Sequence, residues 1–175
     1  MHSQLAIGQF DSPVGRLGLI AGRNGLLSVS FTNGLESEIE RVCTAARRDT
    51  GRGRHKAWQV LNQAFEELAE YLCSARENFQ TPLDLSSGTE FQRAVWRQVK
   101  RIKHGRTRSY SEIAEAIGRP RSVRAVGNAV GSNPLPLFIP CHRVLAANGL
   151  GGFGGGLELK KKLLNLEGAG TDPQE

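Results

Sequence analysis

Between residues 76 and 88 the chain changes both its pattern and its charge, and this break constrains the fold to two small units. Ahead of it, apolar residues come in short bursts separated by turn signals; beyond it they recur at helical spacing. Pro82, Gly88 and two serines give the break the composition of a connector. A boundary near residue 86 is expected, with an α/β unit over 1–86 and a mostly α-helical unit over 87–175. A chain of 175 residues can bury two cores of that size.

In the first half, 17–20 (LGLI) and 26–31 (LLSVSF) read as strands. The stretch 22–25 between them predicts a hairpin turn in which Asn24-Gly25 supplies positive φ angles. Leu35 to Arg47 predicts a helix. Ala57 to Ala75 predicts another, because Val60, Leu61, Phe65, Leu68, Tyr71 and Leu72 fall on one helical face.

In the second half, Phe91, Val95, Trp96, Val99 and Ile102 follow helical spacing, with Thr89 placed to cap the segment. A short helix is predicted over 109–117, a Gly118-Arg119-Pro120 turn after it, and a further helix over 122–131. Two short helices about a tight turn form a helix-turn-helix candidate, in which the second helix enters a DNA groove. That second helix carries Arg121 and Arg124 near its start and the small residues Gly127, Ala129 and Gly131, which allow close approach to a surface.

The distribution of charge supports a polyanionic partner. Residues 1–88 hold 9 Lys and Arg against 10 Asp and Glu, whereas 89–175 hold 14 against 7, and together these make the net +6. Cys43, Cys73 and Cys141 are odd in number and irregular in spacing, a poor disulfide framework that suits a reducing compartment. No secretory signal or membrane span is expected, and the location is read as cytoplasmic.

The run Ile139-Pro140-Cys141-His142-Arg143-Val144 sets a thiol beside a base and a cation, the surroundings a nucleophilic cysteine needs. An isolated Cys-His pair is more often a buried cysteine in an apolar strand. Here it comes with five other matches in order: FQRAVW at 91–96, SYSEIA at 109–114, RAVGNAVGSNP at 124–134, GFGGGL at 152–157 and LLNLEG at 163–168. On these motifs the chain resembles the O6-alkylguanine-DNA alkyltransferase family from about Thr89 to Gly168, more loosely before that.

The resemblance implies an RNase H-like α/β fold for the first unit. The second would be a winged-helix-like helix-turn-helix with an active-site strand. It also implies direct-reversal repair in which O6-alkylguanine, and O4-alkylthymine, is flipped out of duplex DNA and the alkyl group moves irreversibly to Cys141. His142 would take the thiol proton through a water, Glu167 would orient His142, and Asn133 would pin the turn before the active-site strand. Tyr110 would help rotate the nucleotide out and donate a proton towards the guanine as O6 departs, and Arg124 would fill the gap in the base stack. The Val144 carbonyl would read the exocyclic amine, and the glycine run including Gly154 and Gly155 would cover the base, with Phe153 as an apolar wall. Ser109 and Arg121 are the remaining expected DNA contacts, and Arg143 is expected to bind backbone carbonyls.

Phe153 stands where relatives often have tyrosine and Gly154 where serine or alanine is common, which implies a roomier pocket. No cofactor is expected. Among His2, Cys43, His55 and Cys73 there is no close ligand pair, so no metal is expected either. The partner is alkylated double-stranded DNA, bound by a monomer, with cooperativity along DNA left open. Two other readings compete: a lesion-binding relative lacking the acceptor, against which Cys141 speaks, and a plain helix-turn-helix transcription factor, which has no use for Pro-Cys-His-Arg.

Overall fold

The computed structural model describes residues 5–31 and 52–170. It divides into two compact units, 1–85 and 86–175. The helix expected over Leu35–Arg47 lies outside the described residues.

In the first unit, β1 (Ala6–Ser12), β2 (Gly15–Gly22) and β3 (Gly25–Phe31) form an antiparallel sheet in the order β1-β2-β3. β1 does not stand out as a strand in the sequence. Its residues run Ala-Ile-Gly-Gln-Phe-Asp-Ser, and it is defined by pairing with β2 from Ala6↔Ala21 to Ser12↔Gly15. Leu17, Leu19, Ala21, Leu26 and Val29 are buried against α1 (Arg52–Leu72), whose Ala57, Leu61, Ala64, Leu68 and Tyr71 form the opposing face. Each such leucine or valine side chain removed from water contributes about 1.5–3 kcal/mol.

Two local expectations change. Neither Arg23 nor Asn24 has a positive φ, and it is Gly25, at φ 156°, that departs from the ordinary regions. The reason is a close approach: a Cβ on Gly25 would lie 2.7 Å from the Pro82 carbonyl oxygen. Leu26 exchanges backbone hydrogen bonds with Pro82 and Asp84 at 2.8 and 2.9 Å, so part of the connector joins the sheet. The second change is that α1 ends at Leu72, before Ala75, where Ser74 turns the chain at φ 58°.

In the second unit, α2 (Glu90–Lys100) begins at a Thr89–Gln92 capping box and buries Val95, Trp96 and Val99. Trp96 Nε1 donates to the Ala129 carbonyl at 2.7 Å, which fixes α2 on α4 (Val123–Gly131). β4 (Arg108–Ser109) leads into α3 (Tyr110–Ala116), a 3₁₀ turn (Pro120–Ser122) and then α4. Helix α3 has a second capping box, Ser109 with Glu112, and Gly118 at φ 70° ends it. After α4 the chain returns through β5 (Val144–Leu145), which pairs in parallel with β4, and ends in α5 (Leu157–Leu166). This unit is mostly helical, and α3, the turn and α4 form the expected helix-turn-helix.

Candidate active site

Cys141 does not lie in an extended strand. Pro140, at φ −75° and ψ 68°, centres an inverse γ-turn closed by the Cys141 N–H on the Ile139 carbonyl at 2.7 Å. Cys141–Arg143 is a 3₁₀ turn, and only Val144–Leu145 is strand. Proline fixes its own φ and has no N–H for a ladder, so the apolar run cannot continue extended through it. Asn133 holds the approach. Its Nδ2 donates to the Ile139 carbonyl at 2.8 Å and its Oδ1 accepts the Leu135 N–H at 3.0 Å. Between them Leu137 is buried with φ 75°, a left-handed conformation rarely adopted by a branched side chain.

Behind the cysteine lies a buried charge cluster. His142 Nε2 meets Glu167 Oε1 at 2.7 Å, with neither side chain exposed. Arg143 grips the same carboxylate in a fork, Nε to Oε2 at 2.8 Å and Nη2 to Oε1 at 2.9 Å. Its Nη1 donates to the Ile102 carbonyl at 2.6 Å, so Arg143 binds a backbone carbonyl as expected and the carboxylate as well. Glu167 also accepts the Gly105 N–H at 3.2 Å. Burial alone would raise the Glu167 carboxyl; hydrogen bonds from His142 and Arg143 outweigh it and hold the group well below the usual carboxylate range. Burial lowers the pKa of His142 despite Glu167, which leaves the ring neutral.

Lys160, not identified from the sequence, is fully buried in this cluster. Its Nζ donates to the carbonyls of Val144 at 2.6 Å, Gly152 at 3.3 Å and Leu150. Burial brings it down to about 8. Burial likewise pushes the Cys141 thiol up, opposed by the Asn133 side chain, the Lys160 charge and nearby backbone N–H groups. Arg143 and Glu167 cancel, so the positive charge left over is that of Lys160, and it favours the thiolate. A signal for Lys160 was present: it precedes Leu163, Leu164 and Glu167 by three, four and seven residues, the spacing of one buried helical face. The run of three lysines at 160–162 disguised it as a solvated surface.

Tyr110 opens α3 half-buried. Burial raises its pKa, a backbone hydrogen bond from Gly152 acts the other way, and the Cys141 charge adds to the rise. The glycine run lies against this ring. A Cβ on Gly151, at φ 66°, would sit 3.0 Å from Tyr110 Cε2, so only glycine allows the contact. Phe153 packs edge-on to His142 with ring centroids 6.4 Å apart, while Gly154 is exposed and Gly155 half-buried.

The other expected contacts divide. Arg121 and Arg124 are exposed on the helix-turn-helix, as is Val123. Nothing stands within 4 Å of where a Cβ on Gly127 or Gly131 would be, so that flank of α4 is open. Ser109 instead is buried, its hydroxyl engaged with the Glu112 N–H and carboxylate and with Ser111. The Val144 carbonyl already accepts from Lys160. His55 and Cys73 belong to no possible metal cluster among the described residues; His2 and Cys43 lie outside them.

Comparison with known proteins accounts for nearly the whole chain. Residues 5–85 match the family described as 6-O-methylguanine DNA methyltransferase, ribonuclease-like domain, and residues 90–169 match its DNA binding domain. A methylated-DNA–protein-cysteine methyltransferase of Methanosarcina acetivorans is 38% identical, covering 91% of this chain and 96% of that protein. One from Mycolicibacterium paratuberculosis is 44% identical over 90% of this chain and 88% of its own length. Among solved structures, the Mycobacterium tuberculosis O6-methylguanine methyltransferase superposes with a TM-score of 0.77 at 36% identity, covering 94% of this chain and 93% of that one. The Mycobacterium tuberculosis protein in complex with DNA gives 0.73 at 35% identity, covering 91% of both chains. The chain therefore belongs to the 6-O-methylguanine DNA methyltransferase family, with its ribonuclease-like and DNA-binding parts both present.

Proposed function

We propose that the protein repairs DNA by direct reversal, moving an alkyl group from O6 of guanine to the sulfur of Cys141. The observation that carries this reading is the placement of Cys141 in one unit with a neutral buried histidine, a carboxylate behind that histidine and a helix-turn-helix. With Nε2 on Glu167, His142 takes the thiol proton through Nδ1, by way of a water. The thiolate attacks the alkyl carbon in line, the S–C bond forms as the C–O6 bond breaks, and the electron pair leaves on guanine. Tyr110 supplies a proton to that departing base. A thioether offers water no leaving group, so each molecule acts once.

O6 is out of reach of a thiol within a stacked duplex, so the nucleotide is extruded. Arg124, on the exposed side of α4, fills the space it leaves, and Arg121 holds phosphate. Ser109 acts by capping α3 and so fixing Tyr110. The Val144 carbonyl takes the guanine amine on its second lone pair, the first being held by Lys160. Gly154 and Gly155 cover the base beside Phe153, and the absence of a side chain on Gly154 extends the range to alkyl groups larger than methyl. O4-alkylthymine is a second substrate of the same geometry.

The unit over 87–175 carries binding and chemistry. The protein acts as a monomer in the cytoplasm, where Cys141 stays reduced; no helix among the described residues is long and apolar enough to cross a membrane. Incubation with duplex bearing one labelled O6-methylguanine, followed by peptide mass spectrometry, tests the whole reading. It requires one methyl on Cys141, saturating at one per molecule and absent in Cys141→Ala. Lesion binding without modification would make the protein a sensor and remove the roles given to His142 and Glu167.

A further inference from the structure

The loop from the end of α2 to β4 holds charge for which the chemistry at Cys141 has no use. Arg101, Lys103, Arg106 and Arg108 wall a cleft of about 410 Å³ whose lining also includes the buried Ile102 and Thr107. All four cations are exposed. Between Glu90 and Glu112 the sequence places seven Lys and Arg and not one Asp or Glu. Glu112, the carboxylate on the cleft wall, is already engaged: it accepts the Ser109 N–H at 2.6 Å and the Ser109 hydroxyl at 2.8 Å. Arg101, Lys103 and Arg108 form no ion pair with any described residue.

Like charges gathered this way repel, and a loop free to move would separate them. This one is held from inside. Arg143 bonds the Ile102 carbonyl and Glu167 bonds the Gly105 N–H, so the buried pair behind Cys141 fixes the backbone that carries the cations. The loop then runs through β4 directly into Tyr110, the first residue of the helix-turn-helix. In such motifs the first helix lies across the DNA backbone, which sets this cleft next along the chain from a surface that meets phosphates.

We propose that this cleft is a second phosphate-binding site, outside the helix-turn-helix, that holds backbone phosphates of the duplex carrying the lesion. The proposal rests on the repair function argued above. Phosphodiesters offer only charge and acceptor oxygens, which guanidinium groups match in a fork. Interactions of this kind set affinity and register without reading sequence, as suits a protein whose lesion can occur in any sequence.

The test is binding of the full chain to one O6-methylguanine duplex over a salt series, for wild type and for Arg101→Gln/Lys103→Gln/Arg108→Gln, with equal thermal stability checked. Removing one cation from a phosphate flattens the plot of log affinity against log salt by about 0.9, so the triple variant should be shallower by about 2.7. Its affinity deficit, largest at low salt, should then shrink by roughly 40-fold between 50 and 200 mM salt. Arg101→Lys/Lys103→Arg/Arg108→Lys keeps the charge and should restore the slope. An unchanged slope in the glutamine variant, or no restoration in the charge-preserving one, overturns the proposal. Binding of inorganic phosphate with an unchanged DNA slope would mean a site for a free anion and overturn it too. Benzyl transfer from free O6-benzylguanine, which needs no duplex, separates the two readings. If wild type transfers benzyl and the slope does not change, only the cleft assignment fails; if it transfers neither benzyl nor methyl, the function fails and the cleft assignment with it.

Discussion

Behind Cys141, Arg143, Lys160 and Glu167 are buried and each is bonded to two or more groups, whereas on the helix-turn-helix Arg121 and Arg124 stand exposed and make no ion pair among the described residues. The contrast separates two uses of charge. Taken out of water, a charge requires partners of fixed geometry, and those partners orient the histidine and hold the loops around the thiol. Left in water, a charge contributes little to the fold and stays available to a ligand. Substitutions in the first group should therefore damage stability and chemistry together, and substitutions in the second should damage the reaction on duplex DNA without damaging the fold.

The largest effect should come from Glu167→Gln, which leaves the Arg143 guanidinium buried without its counter-ion. Urea unfolding should show a loss of about 3 kcal/mol, and alkyl transfer should slow by about 10²-fold as His142 loses its orienting carboxylate. The pH dependence has a definite sign. The folded Glu167 carboxyl titrates below its ordinary 4.5, so its contribution is complete above that pH and is lost as pH falls through the folded value. The variant should lack that acid-side loss; a wild-type-like acid curve would mean that the carboxylate is not what holds the cluster.

Lys160→Met ranks next. It removes the donor shared by the Val144, Leu150 and Gly152 carbonyls, for a loss of about 1–3 kcal/mol if those carbonyls stay dry. Because Lys160 titrates near 8 in the fold and near 10.5 unfolded, the unfolded chain binds more protons between those values. Wild-type stability should therefore gain a rising component from about pH 8 to 10.5 that the variant lacks, measured by chemical denaturation at each pH. Identical pH profiles would show that Lys160 is already solvated. The smallest effect on the fold, and the sharpest on the comparison, is expected from Arg124→Ala. Its unfolding free energy should stay within about 0.5 kcal/mol of wild type, while methyl transfer from duplex DNA falls by about tenfold or more. A large loss of stability there would erase the distinction between the two groups.

Legibility followed the range of the interactions. Helices α2, α3 and α4 were visible because their caps, spacing and stop signals are local: Thr89 with Gln92, Ser109 with Glu112, Gly118 after α3. β1 was less visible because its identity as a strand comes from pairing with β2 rather than from its own composition. Gly25 fits turn geometry by its neighbours, yet its requirement is the approach of Pro82, 57 positions away in sequence. At the site, Cys141, His142 and Glu167 stood out through their motifs, while Lys160 looked like one of three solvated lysines.

What the amino-acid sequence determined by itself was the division into a sheet-forming and a helical half, the helix-turn-helix, the basic second half and the PCHRV box that marks the family. Each of these is encoded within a few residues or in the sum of charges, so no distant contact is needed to read it. Only the tertiary structure decided that Arg143 shares Glu167 with His142, that Lys160 faces inward on three carbonyls, and that Cys141 sits in a tight turn. A buried charge finds its partners wherever the folded chain brings them, and here Arg143 and Glu167 are 24 residues apart. Local pattern carries no record of such a meeting; desolvation imposes it once the core closes.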